Sequence, residues 1–318
     1  MLARLIPDKF ILILLATIAL ASVLPAQGRG LAAVSSLANL AIFSLFFFHG
    51  LRIAREAVWA GVKHWRLQLA VLGFTFGVIP LAGLAAASAL PALLSPQLWL
   101  GVLFLCALPS TVQAAIASAS MAKGNVAASV VSAAASNIIG VILTPLVFAA
   151  LAHVGGGAVD LSSISRIALL LLLPFALGQI ARVWRASWAD RHRVWIGRLD
   201  RTTIVITVFT AFSAAVNEGL WGKLDGHEML RLLGLVVVLL SFAFAMTWAL
   251  GGWIGLNRED RITLLFSGTH KSLATGAPMA RILFPAATAG LIIVPLMLYH
   301  QLQLMVSAVI AGRMGREG

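Results

Sequence analysis

The sequence contains few charged residues and lacks the motifs with which many enzymes bind ATP or a catalytic metal. Only 11% of its 318 residues are charged, whereas soluble domains carry about 25%. Its single cysteine, Cys106, excludes an intrachain disulfide and lies in an apolar block, where we predict a packing role. The chain has no Gly-x4-Gly-Lys-Ser/Thr motif for ATP and no His-Glu-x-x-His spacing for a metal. We therefore predict neither an enzyme nor a resident cofactor.

Apolar residues make up 60% of the chain and occur in long blocks. About 20 consecutive apolar residues suffice for a helix to span the hydrocarbon core of a bilayer. This pattern predicts an all-α integral membrane protein, with the lipid bilayer as its surroundings. Ten spans are predicted, at roughly 8–26, 30–51, 67–90, 98–121, 125–152, 164–183, 203–221, 230–254, 262–282 and 286–311.

Basic residues give the chain a net charge of +12. A nucleic-acid-binding protein is one interpretation, but the basic residues lie in short loops between apolar blocks, as the positive-inside rule describes. The loop charges predict that both termini are cytoplasmic, and the compact loops favour a bacterial inner (plasma) membrane. Residues 1–28 resemble a signal peptide, but their long apolar run favours a retained first helix.

The ten spans divide into two halves of five. The first half would cover residues 1–153 and the second residues 154–318, meeting near His153–Ser165. An odd number of spans inverts the second half relative to the first, and inverted repeats are common in secondary transporters. The longest polar segment, Arg182–Arg201, is predicted to be a loop or a short interfacial helix, because Trp and Arg alternate along it.

The fourth span of each half carries an unusual polar cluster. Predicted span four contains Leu108-Pro109-Ser110-Thr111-Val112-Gln113, and Pro109 must kink or break a helix there. Predicted span nine contains Phe266-Ser267-Gly268-Thr269-His270-Lys271-Ser272. Irregular backbone at membrane depth is tolerated where it is buried in protein or lines a cavity. We therefore expect these two segments to form the functional centre.

Lys271 is the strongest single signal. It lies ten residues beyond Arg261, or about 15 Å along a helix, which is too deep for easy snorkelling to the cytoplasmic interface. A loop position would leave Ser272–Leu283, which is too short to span. A charge at the bilayer centre costs from about 2.5 to more than 10 kcal/mol, so a functional or cavity-facing Lys271 is favoured.

Other polar residues within the spans give weaker signals. For His270 two interpretations are equally favoured, a site residue and a structural hydrogen-bonding group. Asn39 and Gln179 are expected to bond a neighbouring helix, whereas Asn137 is kept as a candidate. The candidate substrate-binding or ion-binding residues from these clusters are Ser110, Thr111, Gln113, Asn137, Ser267, Thr269, His270, Lys271 and Ser272.

The chain resembles the bile acid:sodium symporter superfamily, and more closely its SBF-like branch. The matching stretches are Leu108-Pro109-Ser110-Thr111-Val112-Gln113, Gly124-Asn125-Val126-Ala127, Leu143-Thr144-Pro145-Leu146, Leu173-Pro174-Phe175-x-Leu177-Gly178-Gln179 and Gly268-Thr269-x-Lys271-Ser272-Leu273-Ala274. The resemblance implies ten helices in a panel domain (spans 1, 2, 6 and 7) and a core domain (spans 3–5 and 8–10). It also implies that helices four and nine are unwound and cross near mid-membrane.

The sodium ligands that the resemblance implies are largely missing. Phe266 stands at the position of a carboxylate and Lys271 at that of an Asn. Ala114-Ala115-Ile116 replaces a Ser-Asn pair, and Ala133 replaces a Thr, although Ser129 matches a ligand position and joins the candidate site residues. An ammonium in such a site would repel a cation. We therefore interpret Lys271 as a built-in cation, with a proton as the other candidate coupling ion.

Three functions remain open from the sequence. The leading one is a secondary active transporter of an organic anion by alternating access, with a bile-acid-like or sterol-like solute suggested by resemblance. Sodium-coupled symport is an alternative, as is a regulatory membrane protein that moves no solute. The last is kept because the branch resembled includes members linked to calcium homeostasis. A membrane enzyme would need His270 as a base for a serine, without an acid to orient it. The oligomeric state is not predicted.

Overall fold

The computed structural model describes residues 9–52, 64–154, 161–219, 222 and 225–317, which form helices and no strand. Within this part of the chain, six helices are long and apolar enough to cross a membrane. Two shorter apolar helices, Leu12–Val23 and Pro96–Ala107, accompany them. The predicted all-α class is therefore confirmed for the described residues.

The helices follow the predicted spans closely. In chain order they are α1 Lys9–Val23, α2 Gly28–Arg52, α3 Trp65–Ala89, α4 Pro96–Ala107, α5 Gln113–Met121, α6 Val126–Val154, α7 Leu161–Arg191, α8 Arg193–Asn217, α9 Gly226–Trp253, α10 Arg258–Thr269, α11 Leu273–Leu283 and α12 Ala286–Glu317. Predicted spans four and nine each correspond to a pair of helices, α4 with α5 and α10 with α11. The inverted repeat stays a prediction, and residues 155–160 at its proposed boundary lie outside the described residues.

The prediction of a loop or short interfacial helix at Arg182–Arg201 is wrong. This segment instead consists of the end of α7 and the start of α8, which meet at His192. Packing explains the extension, since Ala189 and Ile196 are buried together with Leu51 of α2. Trp188 also stacks on Phe48 of α2, with ring centroids 6.1 Å apart. The two helices therefore continue past their apolar blocks along a hydrophobic partner.

One compact unit consists of α1, α2, α7, α8 and the stretch Ala274–Val294. Its central contact is between α2 and α7. A Cβ added at Gly50 would collide with the Phe175 carbonyl, and one at Gly178 with the Phe47 carbonyl. Gln179 Nε2 donates to the Gly50 carbonyl at 2.6 Å, so Gln179 bonds a neighbouring helix as predicted. Small residues let two helix backbones approach closely in a membrane.

Gly50→Ala is expected to destabilise the protein by about 1–3 kcal/mol, because overpacking a tight contact costs that much. Gly30→Ala on the same helix is the matched control, since a Cβ placed there meets no atom within 4 Å apart from the local backbone of its own helix. Denaturant titration of the purified protein measures both variants. Equal stabilities would show that the α2–α7 contact is looser than the structure indicates.

The other unit consists of α3–α6, α9, α10 and the chain from Pro295 onward. Helix α10 packs against α3, α5 and α6, and Phe266, Thr269 and Lys271 are fully buried. The assignment of panel and core domains stays a prediction. This second unit contains both polar breaks and is described next.

Candidate functional site

Two helix interruptions meet at the centre of the second unit. Pro109 lacks the N–H that would continue α4, and Leu108 is already extended, with φ −73° and ψ 151°. The second interruption begins at His270, which is likewise extended, with φ −71° and ψ 144°. The two segments are joined directly, because the Ser272 N–H donates to the Pro109 carbonyl at 2.9 Å.

A third irregularity lies in α3, where Phe74–Val78 forms a π-helical turn. The Ile79 N–H donates to Phe74 instead of to Thr75. The next donor along the chain would be residue 80, which is a proline and has no N–H. The Thr75 carbonyl is therefore left without a helical partner. Single π-turns within α-helices are frequent at functional sites.

The Lys271 side chain extends into the space between these irregular segments. Its Nζ donates to the carbonyls of Thr75 at 3.0 Å, Cys106 at 2.8 Å and Leu108 at 2.8 Å. An ammonium has three N–H donors, so each donor has one acceptor. A neutral amine has one N–H fewer, so this arrangement requires the charged form. We call these three oxygens the carbonyl cage.

The cage carbonyls are available because each has lost its helical donor. In a continuous helix the Cys106 carbonyl would accept from the Ser110 N–H, but that N–H donates to Ser136 Oγ at 3.0 Å. Leu108 lies beyond the end of α4. Asn137 Nδ2 donates to the Ser110 carbonyl at 2.9 Å. The helix break therefore supplies two oxygens to Lys271, while α6 binds the adjacent polar groups.

The backbone of the second interruption is held by α12. Gln303 Oε1 accepts from the Lys271 N–H at 2.8 Å, and Gln303 Nε2 donates to the Lys271 carbonyl at 3.0 Å. The Tyr299 hydroxyl donates to the Thr269 carbonyl at 2.8 Å. Gln303 thus replaces both hydrogen bonds that a continuing helix would make at Lys271, and the extended conformation is stabilised.

His270 is buried between two hydroxyl groups. Its Nδ1 lies 3.1 Å from Thr111 Oγ1, and its Nε2 lies 2.7 Å from Ser307 Oγ. A hydroxyl donates as readily as it accepts, so a neutral imidazole satisfies both contacts. Both ring nitrogens are therefore engaged, one by Thr111 of the first interruption and the other by Ser307 of α12.

The remaining predicted site residues are divided between this centre and its surroundings. Ser129 Oγ lies 3.4 Å from Ser267 Oγ, and Thr269 Oγ1 lies 3.3 Å from Thr247 Oγ1. These pairs bond helix to helix within the same unit. Gln113 is exposed, because α5 begins at that residue and turns its side chain outward. The structure therefore does not bring Gln113 into the cluster.

Sequence reasoning missed the contribution of the last helix. Tyr299, Gln303 and Ser307 are spaced four residues apart on α12 and are all buried. That spacing places them on one helical face, and this periodicity was the available signal. No signal in residue types marks the three cage carbonyls, because every residue has a carbonyl. Among the described residues, no group of three or more His, Cys, Asp or Glu is placed to hold a metal.

The sequence is similar over nearly its whole length to proteins of one family. The family described as the SBF-like CPA transporter family matches residues 8–316. An uncharacterised protein of Pseudomonas aeruginosa is 46% identical over 98% of this chain and 94% of its own length. YfeH of Escherichia coli, named as a candidate symporter, is 43% identical over 98% of this chain and 93% of its own. Sodium/bile acid cotransporter 7 of Mus musculus is 26% identical over 85% of this chain and 81% of its own length.

The match over nearly the whole chain confirms the resemblance inferred from the motifs. Relatives named as a symporter and a cotransporter fit the prediction that the protein is not an enzyme. The apolar helices and these relatives identify an integral membrane protein. The chain therefore belongs to the SBF-like CPA transporter family.

Proposed function

We propose that the protein is a secondary active transporter of an organic anion in which the Lys271 ammonium takes the place of a coupling sodium ion. The observation that supports this most is the carbonyl cage, in which Nζ has three oxygen partners at 2.8–3.0 Å. Backbone carbonyls replace the hydration shell of monovalent cations in selective sites. A tethered ammonium uses the same kind of ligand.

Occupation of the cage by Lys271 makes a sodium ion at the same place unfavourable. Two unit charges close together in a poorly solvated site repel strongly. The ammonium also holds all three oxygens, so sodium would have to displace a group that the chain itself keeps in place. Sodium coupling through the cage is therefore excluded in this proposal, and the proton is the coupling ion to test.

An anionic substrate is supported by the charge of the second unit. Among the described residues, the Lys271 ammonium contacts backbone carbonyls and no carboxylate. Carbonyl dipoles thus stabilise the ammonium, and no carboxylate neutralises its positive charge. The relatives named sodium/bile acid cotransporter 7 suggest a bile-acid-like or sterol-like solute, carried by alternating access between the proposed panel and core domains.

The proposed orientation has both termini in the cytoplasm, in a bacterial inner membrane. The excess of Arg and Lys in the predicted inner loops supports it. A fluorescent protein fused after Gly318 is expected to fluoresce in cells, whereas alkaline phosphatase at the same position is expected to be inactive. The reverse pattern would refute this orientation.

The transport proposal is tested with purified protein in liposomes. Uptake of labelled taurocholate is expected to exceed that of empty liposomes in choline buffer without sodium, and an inward proton gradient is expected to change its rate. An equal rate in both kinds of liposome would refute transport of this anion. Uptake that requires sodium would instead support the symporter alternative.

A regulatory protein that moves no solute is the second candidate. The complete burial of Lys271 and His270 favours it, because a sealed polar centre does not by itself offer a substrate path. The two functions differ in one observable. The observable is the rate at which a thiol reagent labels a cysteine introduced at Thr111. If the centre opens during transport, this rate is expected to change when substrate is added. If the centre is permanently sealed, no labelling is expected.

A further inference from the structure

Arg281 occupies an unusual position in the first unit. It lies in the last turn of α11 and is half-buried. Its Nη2 donates to the Ser35 carbonyl of α2 over a long 3.3 Å. Its Nε is buried and has no hydrogen-bond partner in the described part of the chain. A buried donor without an acceptor costs free energy, so a native structure that keeps one calls for an explanation.

Other partly buried basic side chains in the described residues have clear partners. Arg52 pairs with Asp200 at 3.3 Å, and Arg182 donates to the Leu51 carbonyl at 2.8 Å. Arg261 donates to the Trp248 carbonyl at 2.7 Å and lies over the Trp248 ring. Arg281 differs because most of its five N–H donors have no protein acceptor among the described residues.

Lys271 does not supply the binding group for an anion. All three of its donors are taken by the carbonyl cage. A carboxylate or sulfate on a substrate would have to break those bonds to reach it. If the protein carries an organic anion, the acidic group therefore needs a different cation, and Arg281 has donors available.

A second polar group, Asn39, lies one helical turn from Ser35 on α2. Asn39 follows Ser35 by four residues on α2, so the two share a helical face. Asn39 is exposed and makes no hydrogen bond within the described residues, contrary to the expected bond to a neighbouring helix. An unbonded amide is costly against lipid, but not where water or a polar ligand reaches it.

A purely structural role explains less of this arrangement. A cation in the last turn of a helix interacts favourably with the C-terminal end of the helix dipole. That interaction accounts for a positive charge at position 281, but an exposed lysine would provide it equally well. It explains neither the buried Nε nor the neighbouring amide. The planar fork of arginine is suited to oxyanions, which it binds through two parallel hydrogen bonds.

We propose that Arg281 and Asn39 form the subsite that binds the acidic group of the transported anion, a carboxylate, sulfonate or sulfate. The Ser35 carbonyl positions the guanidinium, and the remaining Nη N–H groups bind the oxyanion. This inference rests on the proposed anion transport and names the residues that recognise the charge. Lys271 then keeps its proposed role as the fixed cation of the carbonyl cage, and Arg281 contacts the acidic group of the substrate.

The test measures how cholate, taurocholate and estrone sulfate raise the melting temperature of the full-length protein in detergent. A ligand that binds the folded state raises its stability according to its concentration and Kd. Arg281→Gln is expected to weaken binding of the stabilising anions at least about tenfold, because a charge-assisted hydrogen bond is lost. Binding of cholate methyl ester, which has no charge, is expected to be the same in both proteins.

Arg29→Gln is the matched control. Arg29 is an exposed residue of the first unit, and its substitution removes the same charge. The Arg29→Gln protein is expected to bind the anions as tightly as the wild type does. Arg281→Lys covers the case in which the glutamine variant does not fold, and it is expected to bind anions more weakly while the ester is unaffected. Equal anion binding by wild type and the Arg281 variants overturns this subsite alone. No stabilisation of the wild type by any of the three anions overturns organic-anion binding itself.

Discussion

Lys271→Ala is expected to lower the melting temperature strongly and to make it dependent on the monovalent cation in the buffer. The substitution leaves the carbonyls of Thr75, Cys106 and Leu108 without their donor. Each unsatisfied buried group costs about 1–3 kcal/mol. The emptied cage has room for a free cation, whose binding restores stability by about 1.4 kcal/mol at ten times its Kd.

Ammonium and potassium are expected to rescue Lys271→Ala better than sodium does, and choline is expected not to rescue it. Oxygens placed at 2.8–3.0 Å from Nζ have the spacing that an N–H donor requires, which is wide for a small ion. Lys271→Met is the matched control, because its side chain fills much of the space and donates nothing. It is expected to be destabilised without any rescue by cations. Rescue of both variants, or of neither, would show that the cage is not a cation site.

Gln303→Ala is expected to reduce stability by about 2–4 kcal/mol and to abolish transport. It removes the acceptor of the Lys271 N–H and a donor to the Lys271 carbonyl, both of them buried. Leaving a buried polar group unsatisfied costs about 1–3 kcal/mol, and we take about 1–2 kcal/mol for each of these losses. The interruption between α10 and α11 then keeps the Tyr299 bond to the Thr269 carbonyl and the His300 Nδ1 contact with the Lys271 carbonyl at 3.2 Å, but its Lys271 N–H has no acceptor. Chemical denaturation and liposome uptake measure the two effects.

Gln301→Ala provides the comparison for Gln303→Ala. Gln301 lies on the same helix, is only partly buried and makes no hydrogen bond among the described residues, so its replacement is expected to change stability by less than about 0.5 kcal/mol. Gln303→Glu keeps the acceptor and removes the donor, and an intermediate stability is expected. A Gln303→Ala protein as stable as Gln301→Ala would mean that α12 does not hold the interruption.

The helices were predictable because long runs of apolar residues are visible in the sequence. Each predicted span corresponds to a helix or to a pair of helices, and Pro109 falls at the end of α4. Arg182–Arg201 was misjudged because its polar composition hides the buried Ala189 and Ile196. Their burial depends on α2, which is distant in sequence, so composition alone was insufficient.

The candidate site was only partly predictable. Lys271 was identified because a cation deep in an apolar segment is costly. Its partners were not, since they are backbone carbonyls, which residue types do not mark. The sequence predicts Gln113 in the cluster, because the helical phase cannot be followed across an interruption. The structure shows that α5 restarts there with Gln113 exposed.

The most direct test of the central claim is the response of the wild-type protein to sodium. The melting temperature in sodium chloride is compared with that in choline chloride at equal ionic strength, alongside Lys271→Ala. If the Lys271 ammonium occupies the cation site, the wild type melts at the same temperature in both salts, and only the variant is stabilised by inorganic cations, sodium less than potassium. A clear stabilisation of the wild type by sodium would contradict the account, because an ion site would then exist apart from the carbonyl cage.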